Sequence, residues 1–216
     1  MKRVKVTLLC FILAAGLLVG VNCTSFDCKH RIFDDIESFK RARMRLPEKH
    51  DSVYREYRIT CSQQYDLDGN GKPEEYVLKD GHLTVKEDSN IIWQSSEDWW
   101  VDYFFIGDST NDGRPKLNLS VWKEGSFGPY KPFWIKDEDT SVKNHLFIFQ
   151  LEKNKFKPVW QSSNLDCPML HATLMDLNGD GEKELVVREG SYTDPKKCEV
   201  TIWKWDGWGF SKIEYK

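Results

Sequence analysis

The chain has 216 residues, 40% hydrophobic and 13% aromatic, with 31 Lys and Arg against 34 Asp and Glu and a formal net charge of −3. A mildly acidic balance without a basic run argues against a nucleic-acid partner. Six cysteines with no Cys-x-x-Cys or Cys/His spacing exclude the common structural zinc sites.

Met1-Lys-Arg-Val-Lys5 is basic, and residues 6–21 are apolar apart from Thr7. This is the n-region and h-region of an export signal, short of the ~20 residues of a comfortable membrane span. Residues 1–25 are therefore expected to be a signal peptide, or else an uncleaved N-terminal anchor. Cys23 offers a site for lipid, although Asn22 stands where lipoprotein signals carry a small residue. The chain is expected in the periplasm, at the cell surface or secreted, with membrane contact only through such an anchor or lipid. Roughly 190 residues then remain, enough for one domain with its own core. Cys28, Cys61, Cys167 and Cys198 would meet an oxidising compartment and can pair in three ways. Cys167–Cys198 is the favoured pair because both lie in the last repeat described below.

Residues 26–56 carry a helical stripe, Ile32 or Phe33 with Ile36 and Phe39, ended by Pro47. They read as a short N-terminal helix on the body, or as a linker. From residue 57 to residue 216 the pattern is β: short apolar or alternating runs such as 76–78, 83–85, 103–106, 146–149 and 199–203, separated by turn residues.

Within that region one unit recurs. Asp176-Leu-Asn-Gly-Asp-Gly-Glu-Lys-Glu184 places side-chain oxygens at positions 1, 3, 5 and 9 of a tight loop: Asp176, Asn178, Asp180 and Glu184. Position 7, Glu182, adds its backbone carbonyl. The same frame at Asp66 gives Asp68, Asn70 and Glu74, with Lys72 at position 7. Ca²⁺ takes six to eight oxygens at about 2.3–2.6 Å, and alternating acids in one turn supply them, whereas unbalanced they repel. A helix-flanked loop puts its last acid at position 12; here it comes at position 9 and leads into a strand. A metal-free polar hairpin is the alternative reading. The third copy, Asp108 to Lys116, keeps Asp108, Thr110 and Asp112 but has lysine at position 9. That ammonium is expected near the cation position, paired with Asp108 or Asp112, leaving no metal or a weak one.

Two further markers keep phase with the loops. Each is followed by a strand and a basic–acidic–Gly turn (Lys79-Asp-Gly81, Lys123-Glu-Gly125, Arg188-Glu-Gly190), and Trp93-Gln-Ser-Ser96 recurs as Trp160-Gln-Ser-Ser163. One unit is thus strand, acidic loop, strand, turn, strand, turn, strand, a four-stranded antiparallel meander.

On these loops and this unit the chain resembles the FG-GAP/VCBS family, the integrin-α-like β-propeller repeats with Asp-x-Asp-Gly-Asp-Gly-x-x-Glu loops. The resemblance implies an all-β fold of about three propeller-like four-stranded repeats, with Ca²⁺ in the first and third loops. Family propellers close with six to eight blades, so a partial propeller, a sandwich of the three sheets and assembly with other subunits all stay open.

Residues 122–134 form an insertion rich in aromatics, Gly and Pro. Phe127, Tyr130 and Trp134, with Tyr192 on the matching turn, are candidates for gripping a peptide or stacking on sugars; filling the core is their other reading. Catalysis has little support. There is no Gly-x-Ser-x-Gly, phosphate loop or paired-His motif, and His82 and His145 hold matching repeat positions, which points to structure. The expectation is a non-enzymatic binding module for protein or glycan at the cell envelope. An assembly subunit is the alternative, and an enzyme acting on polysaccharide is the weakest reading.

Overall fold

β-Branched and aromatic residues favour pleated, half-buried backbone, and in the computed structural model every run of them named above lies in a strand. The structure describes residues 60–127, 133–136, 139–194 and 196–214. The expectations for residues 1–25 and 26–56, Cys23, Cys28 and Tyr130 lie outside those residues.

The described residues are all-β, with twelve strands in three four-stranded antiparallel meanders. The first sheet is β1 (Thr60–Tyr65), β2 (Glu74–Lys79), β3 (His82–Glu87) and β4 (Asn90–Gln94). The second is β5 (Trp100–Gly107), β6 (Lys116–Glu124), β7 (Val142–Glu152) and β8 (Lys155–Gln161). The third is β9 (Met169–Met175), β10 (Glu184–Glu189), β11 (Glu199–Trp205) and β12 (Phe210–Ile213). Each acidic loop joins the first two strands of its sheet, and position 9 opens the second. The tight turns Asp80-Gly81, Asp88-Ser89 and Lys153-Asn154 hold both central residues at positive φ, from 47° to 77°. This backbone twist matches that of the strands they join.

Alternation decides which sheet meets which. Tyr76 and Leu78 of β2 pack with Leu117, Leu119 and Val121 of β6 and Phe147, Phe149 and Leu151 of β7 in one core. Leu146 and Ile148, the intervening residues of β7, pack with Ala172, Leu185 and Val187 in a second. The second sheet is therefore covered on both faces, and eight of the nine residues of β6 are buried. The forward face of a sheet is the one carrying positions 9, 11 and 13 of its unit; it meets the next sheet.

The Trp-Gln-Ser-Ser marker has a structural meaning in both copies. Ser95 Oγ accepts from the Leu83 amide at 3.0 Å while the Ser95 amide donates to the Leu83 carbonyl at 2.9 Å. Ser162 makes the same two bonds to Leu146, each at 3.0 Å. The fourth strand's register slips at matching places, Val85/Lys86 and Ile148/Phe149, and the serine closes the ladder beyond the slip. The tryptophan wedges onto the next sheet: Trp93 lies 5.4 Å from both Phe149 and Phe156, and Trp160 lies 5.5 Å from Phe210.

The favoured Cys167–Cys198 disulfide is not formed; both are free thiols. They adjoin β9 and β11, which flank β10 on opposite sides.

Candidate functional site

The loops fold around the aspartate at position 1. Asp66 accepts the amides of Asn70 at 3.1 Å and Gly71 at 2.8 Å. Asp108 accepts those of Asp112 at 3.2 Å and Gly113 at 2.7 Å, and Asp176 those of Gly179 at 2.6 Å and Gly181 at 3.0 Å. The glycine at position 6 sits at φ 86°, 82° and 88° in the three copies, a left-handed turn that a Cβ would strain.

At position 9, Glu74 and Glu184 are fully buried. One oxygen of each accepts the position-2 amide, Leu67 at 2.8 Å and Leu177 at 3.0 Å. The other, Oε1 in both, has no hydrogen-bond partner. A buried carboxylate oxygen left without a proton or cation costs several kcal/mol (~3 is typical). Around Glu74 the carboxylates of Asp66 and Asp68 bring ligand atoms within 4.8 Å of one another. Burial pushes the Glu74 carboxyl above its ordinary range, against the Leu67 amide and the Tyr76 hydroxyl. A divalent cation at this point would satisfy the orphan oxygen and hold the carboxylates ionised, so the residues present fit Ca²⁺. In the third loop Asn178 replaces one acid, and its Nδ2 donates to Asp180 at 2.8 Å.

The second loop carries its own cation. The Lys116 side chain is fully buried, and its ammonium donates to Asp112 Oδ1 at 2.5 Å and to the Arg114 carbonyl at 2.8 Å. Of the two partners read from sequence, the lysine takes Asp112. Burial raises the Asp112 carboxyl, but Lys116 and the Arg114 amide and side chain outweigh it and hold it below its usual range.

The side chain at position 7 turns out to be a strut. Lys72 meets Asp88 at 2.6 Å, Arg114 meets Glu152 at 3.7 Å, and Glu182 meets Lys204 at 2.7 Å. Each pair ties the acidic loop to the last hairpin of its own sheet, with the charges reversed in the third copy. Lys72 and Glu182 thus have only a carbonyl to offer a metal. Adjacent loops are tied as well: Asn111 donates to the Lys183 carbonyl at 3.2 Å and accepts its amide at 2.8 Å.

The aromatic candidates separate. Tyr192 is a clamp between sheets: its hydroxyl donates to the Leu165 carbonyl at 2.9 Å and accepts the Asn144 amide at 3.1 Å. Its ring stands edge-on to Trp122 at 5.9 Å under the Lys143 ammonium, and burial pushes its hydroxyl up to about 12. Phe127 is partly exposed at 39%. Trp134 is 68% exposed and joins a residue the sequence reading passed over, Phe133, exposed at 91% and 4.9 Å away. The neck of this insertion is fixed by the Asp139 carboxylate, which accepts from the Ser126 amide, the Ser141 amide and hydroxyl, and Asn164 Nδ2 at 2.8 Å.

His82 is exposed whereas His145 is fully buried. His145 Nδ1 lies 3.1 Å from the Ser162 carbonyl, its Nε2 has no partner, and burial pulls it down to about 4, so the ring is neutral. No protein-family model and no curated protein matches the chain.

Proposed function

We propose that this chain is an exported, calcium-stapled binding module of the cell envelope without catalytic activity, its three sheets the blades of a propeller-like stack of FG-GAP/VCBS kind. Ca²⁺ would be held by Asp66, Asp68, Asn70 and Glu74 with the Lys72 carbonyl, and by Asp176, Asn178, Asp180 and Glu184 with the Glu182 carbonyl. The repeated orphan oxygen on Glu74 and Glu184 supports that reading. The ion supplies charge balance and rigidity, and the loops act as staples at one end of each sheet.

Recognition of protein or glycan is carried by one observation: two large apolar rings, Phe133 and Trp134, stand in water on a neck fixed by Asp139. Exposed aromatics are what binding surfaces use to gain contact area. The test screens the full chain and the Phe133→Ala/Trp134→Ala variant against a glycan array and envelope proteins in millimolar Ca²⁺. Both rings are exposed, so the variant folds. A ligand of the wild-type chain should lose at least about tenfold in affinity for the variant, and a ligand bound equally by both would move recognition off this tip. A second reading, an assembly subunit, is favoured by a different observation, the face of the third sheet that no other described sheet covers.

A further inference from the structure

Position 4 of the acidic loop has a left-handed backbone in all three copies, with φ 73° at Gly69, 54° at Asn111 and 78° at Gly179. Glycine takes that conformation freely, and asparagine is among the few other residues that tolerate it. The second loop thus carries a side chain where its sister loops have none. Asn111 uses it across the gap between sheets: Nδ2 donates to the Lys183 carbonyl at 3.2 Å, and Oδ1 accepts the Lys183 amide at 2.8 Å. One side chain therefore grips the backbone of a single residue at two points, 72 positions further along the chain. The first and second loops cannot form the equivalent grip, because Gly69 has no side chain and Pro115, at position 8, has no amide.

Lys183 is position 8 of the third loop and directly precedes Glu184, which is fully buried with its Oε1 unpartnered. Fixing the backbone at position 8 fixes where the position-9 carboxylate leaves the chain. The gripping loop is itself held without an outside ion. Its Lys116 ammonium binds Asp112 and the Arg114 carbonyl, while Asp108 accepts the amides of Asp112 and Gly113. Site rigidity, beside ligand charge, sets how tightly a loop of this kind takes Ca²⁺. We infer that Asn111 is a positioning residue for the third loop: the second loop, locked by its own lysine, braces Glu184 and raises that loop's affinity for Ca²⁺.

The brace rests on the third loop taking Ca²⁺, as proposed, and it gives the lysine-bearing copy a task of its own. The third loop is the one that gains from it, since the Lys204 ammonium stands 3.9 Å from Asp180 and already meets part of its charge. The first loop is independent of this grip. Its Asn70 Nδ2 donates instead to Glu87 of its own sheet at 2.9 Å. Loss of the Asn111 side chain should therefore separate the two calcium loops, weakening one and sparing the other. The coupling runs in both directions: an ion held by Glu184 should in turn slow exchange of the Lys183 amide.

The test is calorimetric titration of the full chain with Ca²⁺, with and without Asn111→Gly, in two backgrounds. Glu74→Gln disables the first loop and isolates the third, and Glu184→Gln does the reverse. Glycine is the residue of both sister loops at this position and suits its positive φ, so Asn111→Gly folds. In the Glu74→Gln chain it should weaken Ca²⁺ binding by about tenfold; in the Glu184→Gln chain it should change nothing. Unchanged affinity in the first background, or equal weakening in both, would overturn the brace and leave the calcium reading standing. Uptake by the wild-type chain but not by Glu74→Gln would leave the third loop without an ion and the brace without an object. A wild-type chain that takes up no Ca²⁺ at all would overturn the calcium reading and the brace together.

Discussion

Position 9 of an acidic loop is buried in all three copies, yet it holds a carboxylate in two and an ammonium in one. The chemistry of that residue decides whether the loop needs an outside cation. Lys116→Glu should turn the second loop into a site like the others and raise the Ca²⁺ bound per chain by one, read by calorimetric stoichiometry. Lys116→Met leaves Asp112 with only the Arg114 amide and guanidinium. Because Asp112 is 36% exposed on its side chain, water recovers part of the loss, and the expected cost is about 1–2 kcal/mol in urea melts. A second prediction concerns His145. Its folded value of about 4 lies below the ordinary 6.5, so the unfolded chain binds the proton more readily. Its contribution is complete above pH ~6.5 and is lost as pH falls towards 4, by roughly 3 kcal/mol in all. Urea melts at pH 7.5 and 4.5 should show that loss in the wild-type chain and a smaller one in His145→Leu; equal losses would place the sensitivity elsewhere.

The element to which these residues belong is the loop with its hairpin. If Ca²⁺ bridges the carboxylates of the first loop, Glu74→Gln should remove that loop's share of the rise in melting temperature between EDTA and millimolar Ca²⁺. Lys72→Ala should keep the rise, because the Lys72 side chain braces Asp88 and contributes nothing to the cation position. Reversal of those two results would make position 7 the ligand. Much of this element was legible in the sequence: spacing alone located the loops, the strands they open and the lysine that breaks the pattern. The position-7 struts were hidden because the pairing changes sign between copies, Lys72 and Arg114 against Glu182, and because partners 16 to 38 residues away leave no local signature. The clamp made by Tyr192 was hidden for a related reason. An aromatic on a Gly-Ser turn looks exposed until the neighbouring sheet supplies Asn144 and Leu165 to its hydroxyl.

At the scale of the whole molecule, alternation along each strand set the strands but left open how three sheets meet, since a period of two names two faces and says nothing of what covers each. The answer lies in β6. Its two faces belong to different cores, Leu117, Leu119 and Val121 on one side and the polar Lys116, Asn118 and Ser120 on the other, all fully buried. That polar set could not be read as interior from sequence, because the partners of Ser120 come from far along the chain: Asn144 Nδ2 donates to Ser120 Oγ at 3.0 Å, and Asn144 Oδ1 takes the Met169 amide of the third sheet at 2.9 Å. A sheet covered on both sides cannot open without separating both neighbours, whereas among the described residues the first and third sheets each have one face without a covering sheet. Amide exchange should therefore rank the molecule from its centre outward. Amides of β6 and β7 should exchange only through global unfolding, with a denaturant dependence equal to that of the whole chain, and those of β1 and β12 through smaller openings.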